Sequence, residues 1–258
     1  MPRLLSVLVY ALYAILLAPV VVTIGASLTA GDYLQFPPNG LSFRWYAAFF
    51  GDSEMMAGLR LSLLVALTSV AICVPVGASA AIFVMGLGGK WRSFLISCFL
   101  SPLSVPLVLS GFGLLVFFTQ LNLVNTVGLT LGHAVICVPY ILRTVLASMS
   151  LTDASLPRAA SIFGARPLQV VRYVTLPLMR PGLVSGALFV FLTSFNNVVT
   201  SIFISPTGAA TLPVVIFGRM DQLAQPSVAA ASAITIIMTA IMCLVIEQRY
   251  ALFRSLGG

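Results

Sequence analysis

The sequence predicts an all-α polytopic membrane protein with six transmembrane helices. Hydrophobic residues make up 60% of its 258 positions and charged residues only 7%, whereas about 25% of the residues in a soluble domain are charged. So few charges cannot cover a soluble globule of this length, and so apolar a chain does not remain disordered. Six apolar stretches each reach the roughly 20 helical residues needed to cross a bilayer. A soluble enzyme and a disordered chain are therefore excluded.

The six predicted spans cover residues 4–29, 61–87, 94–118, 126–149, 182–204 and 228–247. The first follows Arg3, as a signal peptide would, but its apolar run is far longer than the roughly 7–15 residues of a signal-peptide core. We therefore interpret it as an uncleaved span. Prolines within an apolar helix predict kinks in the second, third and fourth spans, at Pro75, Pro102, Pro106 and Pro139.

The distribution of charge predicts that both termini are cytoplasmic. In that orientation the inner side carries Arg3, Lys90, Arg92, Arg143, Arg158, Arg166, Arg172, Arg180, Arg249 and Arg254, and the outer side Arg44, Arg60 and Arg219. Four acidic residues fall outside, namely Asp32, Asp52, Glu54 and Asp221. This is the bias of the positive-inside rule. The basic residues form no dense run or basic helix, which excludes nucleic acid as a partner.

The spans contain almost no ionisable residues, which usually mark proton relays and ion sites. His133 and Arg143 are the nearest candidates; we interpret His133 as a satisfied packing residue and expect Arg143 to reach the cytoplasmic surface. This pattern disfavours a stand-alone secondary carrier, which stays open as the alternative function. A phosphate-binding loop and the motifs of membrane-embedded enzymes are absent from the sequence. We expect the four cysteines to be small buried hydrophobes without metal.

Residues 30–60 and 205–227 form two long outer segments, of which the first is rich in aromatic side chains. These aromatics are Tyr33, Phe36, Phe43, Trp45, Tyr46, Phe49 and Phe50. They suit either a helix lying at the lipid headgroups or a packed lid over the helix ends.

The largest inner loop, residues 150–180, predicts two short helices. Leu156, Ala159, Ala160 and Phe163 recur at helical spacing and form one apolar face. We expect Ser155 to cap this helix and Gly164 to end it. A second helix is predicted to start at Pro167, after which Pro177 and Pro181 should bend the chain into the fifth span. The exposed helix fits either a docking element for a partner protein or a bare amphipathic surface helix.

The loop resembles the signature of permease subunits of binding-protein-dependent ABC importers, EAA-x3-G-x9-I-x-LP. Ala159, Ala160 and Gly164 match its first part, and Val174 with Leu176-Pro177 match its end, while Arg158 replaces the leading Glu. The resemblance extends to residues 43–66, 101–106, 193–204 and 211–213, which are most similar to the polyamine branch.

This resemblance implies a type I ABC importer permease in a bacterial inner membrane, with residues 1–258 as one permease domain. Its expected partners are an ATPase dimer, a second and different permease, an extracytoplasmic substrate-binding protein and membrane lipid. The chain itself would bind no cofactor, because ATP and magnesium belong to the ATPase subunits. The loop helix would enter a cleft on the ATPase as a rigid lever over 156–168. Its expected contacts are Leu156, Arg158, Ala159, Ala160, Phe163, Gly164, Ala165 and Leu168.

The fifth predicted span carries a polar stripe at helical spacing. It consists of Ser185, Phe189, Thr193, Asn196, Asn197, Thr200 and Ser201. Unpaired amides are costly in lipid, so these residues should face a water-filled path or a neighbouring helix, and Gly182-x3-Gly186 fits the second interpretation. We predict that Thr193, Asn196, Asn197 and Thr200 line a translocation path.

The same region bears on the substrate. Members of the polyamine branch tend to carry carboxylates where this chain has Asn196-Asn197, and also near Leu103. A polycation would lack counter-charge there. This argues against a specificity limited to polyamines, so the expected substrate class is broader, namely a small polar organic solute that is polyamine-like, an opine, a phosphonate or a related compound.

Overall fold

A computed structural model describes residues 2–153, 155–222 and 225–250 of the chain. Within these residues the regular secondary structure is helical, apart from one isolated antiparallel bridge between Thr29 and Leu41, which confirms the all-α prediction. In chain order the helices are α1 (Pro2–Ser27), α2 (Arg44–Gly51), α3 (Ser53–Met85), α4 (Gly89–Leu100), α5 (Leu107–Gln120), α6 (Thr126–Met149), α7 (Leu156–Ile162), α8 (Pro167–Val170), α9 (Leu176–Phe195), α10 (Val198–Ile204), α11 (Leu212–Gln222) and α12 (Pro226–Tyr250). Among the residues counted for orientation, Arg254 lies outside the described part.

Helices long and apolar enough to span a bilayer account for five of the six predicted spans, and the region of the other forms a bent helix pair, which has the geometry of a broken span or a re-entrant loop. The five are Leu5–Ser27, Ser53–Met85, Thr126–Met149, Pro167–Phe195 and Pro226–Arg249. The second begins at Ser53 rather than near residue 61, because Asp52 Oδ1 accepts hydrogen bonds from the N–H groups of Glu54 and Met55. This carboxylate caps α3 in the outer segment.

The third predicted span, 94–118, is wrong as a single helix. It consists of α4, a 3₁₀ turn over Ser101–Ser104 and α5, and the helices meet at 97°. Pro102 opens the 3₁₀ turn, and Val105 is extended (φ −85°, ψ 131°) immediately before Pro106. A residue that precedes proline avoids the helical conformation, so the break occurs there. In contrast, Pro75 and Pro139 lie inside helices that continue past them.

The helix of the fifth predicted span, 182–204, begins and ends earlier in the sequence than predicted. The chain is helical from Pro167 to Phe195, through one π-helical turn at Val171–Thr175. Pro177 lies in the first turn of α9 and Pro181 lies inside it, and the helix continues past both. The helix ends instead at Phe195, and α10 is a separate helix. The residues of the predicted polar stripe thus do not share one helix face.

The described residues divide into two compact units, one formed by those up to Arg60 with those between Thr211 and Val245, the other by those between Leu61 and Ala210 with 246–250. In the first unit, Phe49 is buried and Tyr46 bonds through its hydroxyl to Ser27 over 2.7 Å. Phe43 and Phe50 are exposed. The outer aromatic segment is therefore packed on one side and open on the other.

In the second unit, α6 packs along α9 and α3 lies against α6. An added Cβ at Gly182 would lie 2.7 Å from Val145 Cα, and one at Gly186 would lie 2.5 Å from Thr144 Oγ1. These two glycines therefore allow α9 to approach α6 closely, as expected for a small-residue packing motif.

The cysteines differ in their surroundings. Cys73 and Cys137 are fully buried in the core between these helices, and all four cysteines are free. The prediction of burial is wrong for Cys98, which is exposed on α4, and holds only in part for Cys243.

Candidate functional site

The first helix of the inner loop, α7, is seven residues long, and specific residues mark where it begins and ends. Asp153 Oδ1 accepts a hydrogen bond from the Ser155 N–H over 2.8 Å, and this contact lowers the pKa of Asp153. Ser155 occupies the N-cap position, but its side chain makes no capping bond, so the predicted role of its hydroxyl is wrong. Pro157 lies in the first turn, where its missing N–H costs nothing.

Gly164 ends this helix as predicted. Its φ of +86° is a left-handed conformation that favours glycine, and the Ala165 N–H bonds to the Ala160 carbonyl over 3.1 Å. The predicted lever over 156–168 therefore consists of two short helices, since α7 stops at Ile162 and a new helix starts at Pro167, as predicted.

The loop presents large apolar side chains that no described part of the chain covers. Ile162 is 84% exposed, Phe163 90% and Leu168 77%. Leu156 and Arg158 are also exposed, whereas Ala159, Ala160 and Ala165 are half-buried. We call Ile162, Phe163 and Leu168 the loop patch. Exposed apolar side chains grouped in this way mark an interaction surface.

One residue of the loop patch, Leu168, lies on the helix that continues into the fifth span. The N–H of Arg166 donates to Gln169 Oε1 over 2.7 Å, and the N–H of Val170 donates to the Arg166 carbonyl over 3.0 Å. From Pro167 the backbone stays helical as far as Phe195. Leu168 and α9 therefore belong to one continuous stretch of helical backbone.

The far end of α9 is a helix break at Asn196-Asn197. Asn197 has an extended backbone (φ −80°, ψ 98°), and its Oδ1 accepts a hydrogen bond from the Thr200 N–H over 2.9 Å. Its side chain therefore caps α10. Asn197 Nδ2 and Thr200 Oγ1 are buried and make no hydrogen bond within the described residues.

The four predicted path residues fall into two groups. Asn196 is exposed, and its Nδ2 donates to the Leu192 carbonyl over 2.9 Å, while Thr193 is half-buried. Asn197 is 6% exposed and Thr200 is fully buried. Asn196 and Thr193 thus lie at the surface of the chain, and Asn197 and Thr200 lie inside it.

His133 lies beside this break, fully buried on α6. Its Nδ1 is 2.8 Å from Ser194 Oγ and its Nε2 is 3.1 Å from Ser201 Oγ. Both ring nitrogens have partners, which agrees with the interpretation of His133 as a satisfied packing residue. The sequence gives no sign of the contact with Ser194, because it forms only when α9, α10 and α6 come together.

A second cluster that the sequence does not reveal lies in the outer segments. Arg219 on α11 donates to both carboxylate oxygens of Asp52 and to Glu54 Oε2. The Arg219 guanidinium holds the pKa of Asp52 below its usual value of 3.8. In turn, the bond to Asp52 raises the pKa of Arg219.

Comparison with known proteins decides the family. Residues 73–255 match the family described as "Binding-protein-dependent transport system inner membrane component". The chain belongs to this family. Since the match covers more than half of the chain, this transport component of an inner membrane is a permease subunit of an ABC importer and not an enzyme.

Relatives of this ABC importer permease include transport proteins for polyamines. The putrescine transport system permease protein PotI of Escherichia coli (strain K12) is 30% identical over 203 residues, which are 73% of this chain and 70% of the relative. The spermidine/putrescine transport system permease protein PotC of Haemophilus influenzae (strain ATCC 51907 / DSM 11121 / KW20 / Rd) is 25% identical over 231 residues, covering 89% of this chain and 90% of that protein.

The fold of this permease is also that of a solved transporter. A chain of a bacterial ABC transporter involved in the import of the acidic polysaccharide alginate superimposes with a TM-score of 0.69. The match covers 96% of this chain and 95% of that chain at 16% identity. The predicted type I ABC importer permease fold is therefore confirmed.

Proposed function

We propose that this permease forms half of the translocation path for a small polar organic solute and is driven by a partner ATPase that contacts the loop patch. The observation that carries the proposal is the exposed apolar group Ile162, Phe163 and Leu168, of which Leu168 is joined through continuous helix to α9. Uncovered apolar side chains of this size favour burial against another protein.

The contact set for the ATPase comprises the residues predicted from the signature. These are Leu156, Arg158, Ala159, Ala160, Phe163, Gly164, Ala165 and Leu168. The left-handed backbone at Gly164 turns the chain between α7 and α8, so that Phe163 and Leu168 stand on either side of one corner. Closure of the ATPase dimer would press on this corner, and α9 would carry the displacement into the membrane.

The path itself would pass the end of α9. Asn196 and Thr193 place an amide and a hydroxyl at the surface of the chain. The hydrogen bond between Asn197 and Thr200 stabilises the helix break beside them. Neutral polar groups suit a small solute with hydrogen-bonding atoms. The named activities of the relatives support a polyamine-like substrate, and an opine or a phosphonate has the same class of polar atoms.

The assembly we propose has an ATPase dimer, a second and different permease and an extracytoplasmic substrate-binding protein. ATP and magnesium would bind to the ATPase subunits and not to this chain. With both termini cytoplasmic, the loop patch lies on the cytoplasmic side, as ATPase contact requires, and Arg219 lies on the outer side.

A pull-down with matched variants tests this contact. The tagged chain is extracted from its native membrane in mild detergent, and co-purified proteins are identified by mass spectrometry. We expect an ATPase and a second permease with the parent chain, and loss of the ATPase alone with Phe163→Asp. Tyr33→Asp is the control, because Tyr33 is an equally uncovered aromatic (82% exposed) in the outer segment. Recovery of the same ATPase with Phe163→Asp would contradict the proposal.

A further inference from the structure

We propose that His133 is a positioning residue of the translocation path, which holds α9 and α10 in a fixed geometry across the Asn196-Asn197 break. The part of this inference that concerns transport rests on the proposed function. The structural part rests on the contacts of one buried imidazole with a serine on each side of the break.

The hydrogen bonds at the break fix the direction of each proton. Ser201 Oγ donates its only proton to the Asn197 carbonyl over 2.6 Å, because a carbonyl oxygen can only accept. With that proton assigned to the carbonyl, Ser201 Oγ accepts from His133, and we assign the imidazole proton to Nε2. In the neutral ring Nδ1 is then an acceptor, and Ser194 Oγ–H donates to it over 2.8 Å.

This chain of bonds connects both sides of the break to a third helix. Ser194 lies in the last turn of α9, and Ser201 lies in the first turn of α10. These hydrogen bonds run from Ser194 through His133 and Ser201 to the carbonyl of Asn197. Asn197 is therefore held at both its side chain, which caps α10, and its carbonyl.

The break needs such support because it is a weak point of the backbone. A helix interrupted in a membrane leaves backbone groups that must find partners within the protein. Asn197 and Thr200 already carry one buried polar atom each without a bond among the described residues. Without the imidazole, α10 would be anchored by its cap and apolar contacts alone, and the exposed amide of Asn196 would no longer have a fixed position.

Distance measurements across the break test the structural part. Spin labels are placed at Phe189→Cys on α9 and Ile202→Cys on α10, both 48% exposed, after Cys98→Ser and Cys243→Ser remove the accessible thiols. The full chain is studied in lipid nanodiscs with its co-purifying subunits. We expect a narrow distance distribution for the parent and a broad one for Ser194→Ala and for His133→Phe, which keeps the ring volume but not the bonds.

A buried serine outside the bridge provides the matched control. Ser69 is fully buried and makes its one bond to the Thr130 carbonyl, so Ser69→Ala removes the same hydroxyl and should leave the distribution narrow. If His133→Phe fails to fold, Ser194→Ala carries the test, since it removes a single oxygen. A distribution as narrow in Ser194→Ala as in the parent would overturn the proposal.

Uptake assays separate this proposal from the proposed function. We expect Ser194→Ala to lower substrate uptake by about tenfold while the ATPase still co-purifies. A broadened distribution with unchanged uptake would overturn the role of His133 in the path. If the parent shows no ATP-dependent uptake and yet Ser194→Ala broadens the distribution, the proposed function fails and the structural role of His133 stands.

Discussion

Arg219 donates two hydrogen bonds to Asp52, from Nη1 to Oδ2 over 2.6 Å and from Nη2 to Oδ1 over 3.1 Å. The same carboxylate accepts the N–H groups of Glu54 and Met55, each over 3.0 Å. One side chain therefore caps the second span and ties it to α11. Two residues far apart in the sequence share this outer contact.

We expect Asp52→Asn and Asp52→Ala to separate these two roles. Asparagine caps a helix about as well as aspartate, so Asp52→Asn should remove only the ion pair and cost about 0.5–1 kcal/mol. Asp52→Ala should cost about 1 kcal/mol more because the cap is lost as well. Thermal melting of the purified chain in detergent measures both. Equal melting temperatures for the two variants would show that Asp52 does not act as a cap.

The ion pair also predicts how stability depends on pH. Because Arg219 lowers the pKa of Asp52 below 3.8, the folded carboxylate keeps its charge to a lower pH than the unfolded one. Its contribution is complete above the unfolded pKa and is lost as the pH falls through the lowered value. The difference in melting temperature between the parent and Asp52→Asn should be constant from about pH 5 to 7 and shrink below about pH 4. A difference that grows on acidification would contradict the assignment.

Gly164 should be sensitive to substitution through its backbone alone. Nothing lies within 4 Å of an added Cβ, but the φ of +86° strains any other residue by about 1 kcal/mol or more. We expect Gly164→Ala to lower uptake, and Gly164→Glu to uncouple uptake from ATP hydrolysis with the chain still inserted. Gly88→Ala is the matched control, since Gly88 also has free space and its φ is −113°. Undiminished uptake by Gly164→Glu would refute the lever.

Gly182 should be sensitive to substitution because there is no space for a larger side chain, whereas at Gly164 the constraint is the backbone conformation. Its added Cβ would meet Val145 Cα at 2.7 Å and the Thr144 carbonyl at 2.8 Å, and neither backbone atom can move by itself. We expect Gly182→Ala to cost about 1–3 kcal/mol by forcing α9 away from α6. Gly113→Ala in α5 meets nothing within 4 Å and should be neutral or stabilising. Similar melting temperatures for the two variants would contradict the close packing.

The two asparagines at the break should respond differently. Asn196→Leu removes an exposed amide and should change the substrate profile without changing the melting temperature. Asn197→Leu removes the cap of α10 and should alter uptake and lower stability by about 0.5–2 kcal/mol, with the ATPase still bound. Asn197→Ser keeps a side-chain oxygen that can cap α10 and should cost less stability than Asn197→Leu. An unchanged substrate profile in Asn196→Leu would favour a packing role for this side chain.

Composition and hydropathy were sufficient to predict the class of fold and five of the six spans, because a long apolar helix can be recognised from its own sequence without its packing partners. The positions at which the spans begin and end were harder to predict from the sequence. Asp52 extends α3 by capping it, and this role depends on a local turn. The 97° bend at the third span needs the combined effect of a 3₁₀ turn and an extended residue before Pro106, where the sequence shows only two prolines.

The candidate sites were predictable where they depend on local pattern and not where they depend on tertiary contact. Gly164 was identifiable from its position after an amphipathic helix. Asn197 fits equally well inside a helix and at a cap, so the break that it creates could not be foreseen. The bonds of His133 to Ser194 and Ser201 depend on the packing of α6 against α9 and α10, which no spacing in the sequence encodes.

The most direct test of ATP-driven import is uptake by proteoliposomes that contain this chain with its co-purified subunits. Radiolabelled putrescine and a phosphonate are supplied outside with the substrate-binding protein, and ATP with magnesium is enclosed inside. We predict uptake of one of these solutes that requires enclosed ATP and is lost in Phe163→Asp but not in Tyr33→Asp. Uptake at the same rate without ATP and without the ATPase would contradict the account and identify the chain as a stand-alone carrier.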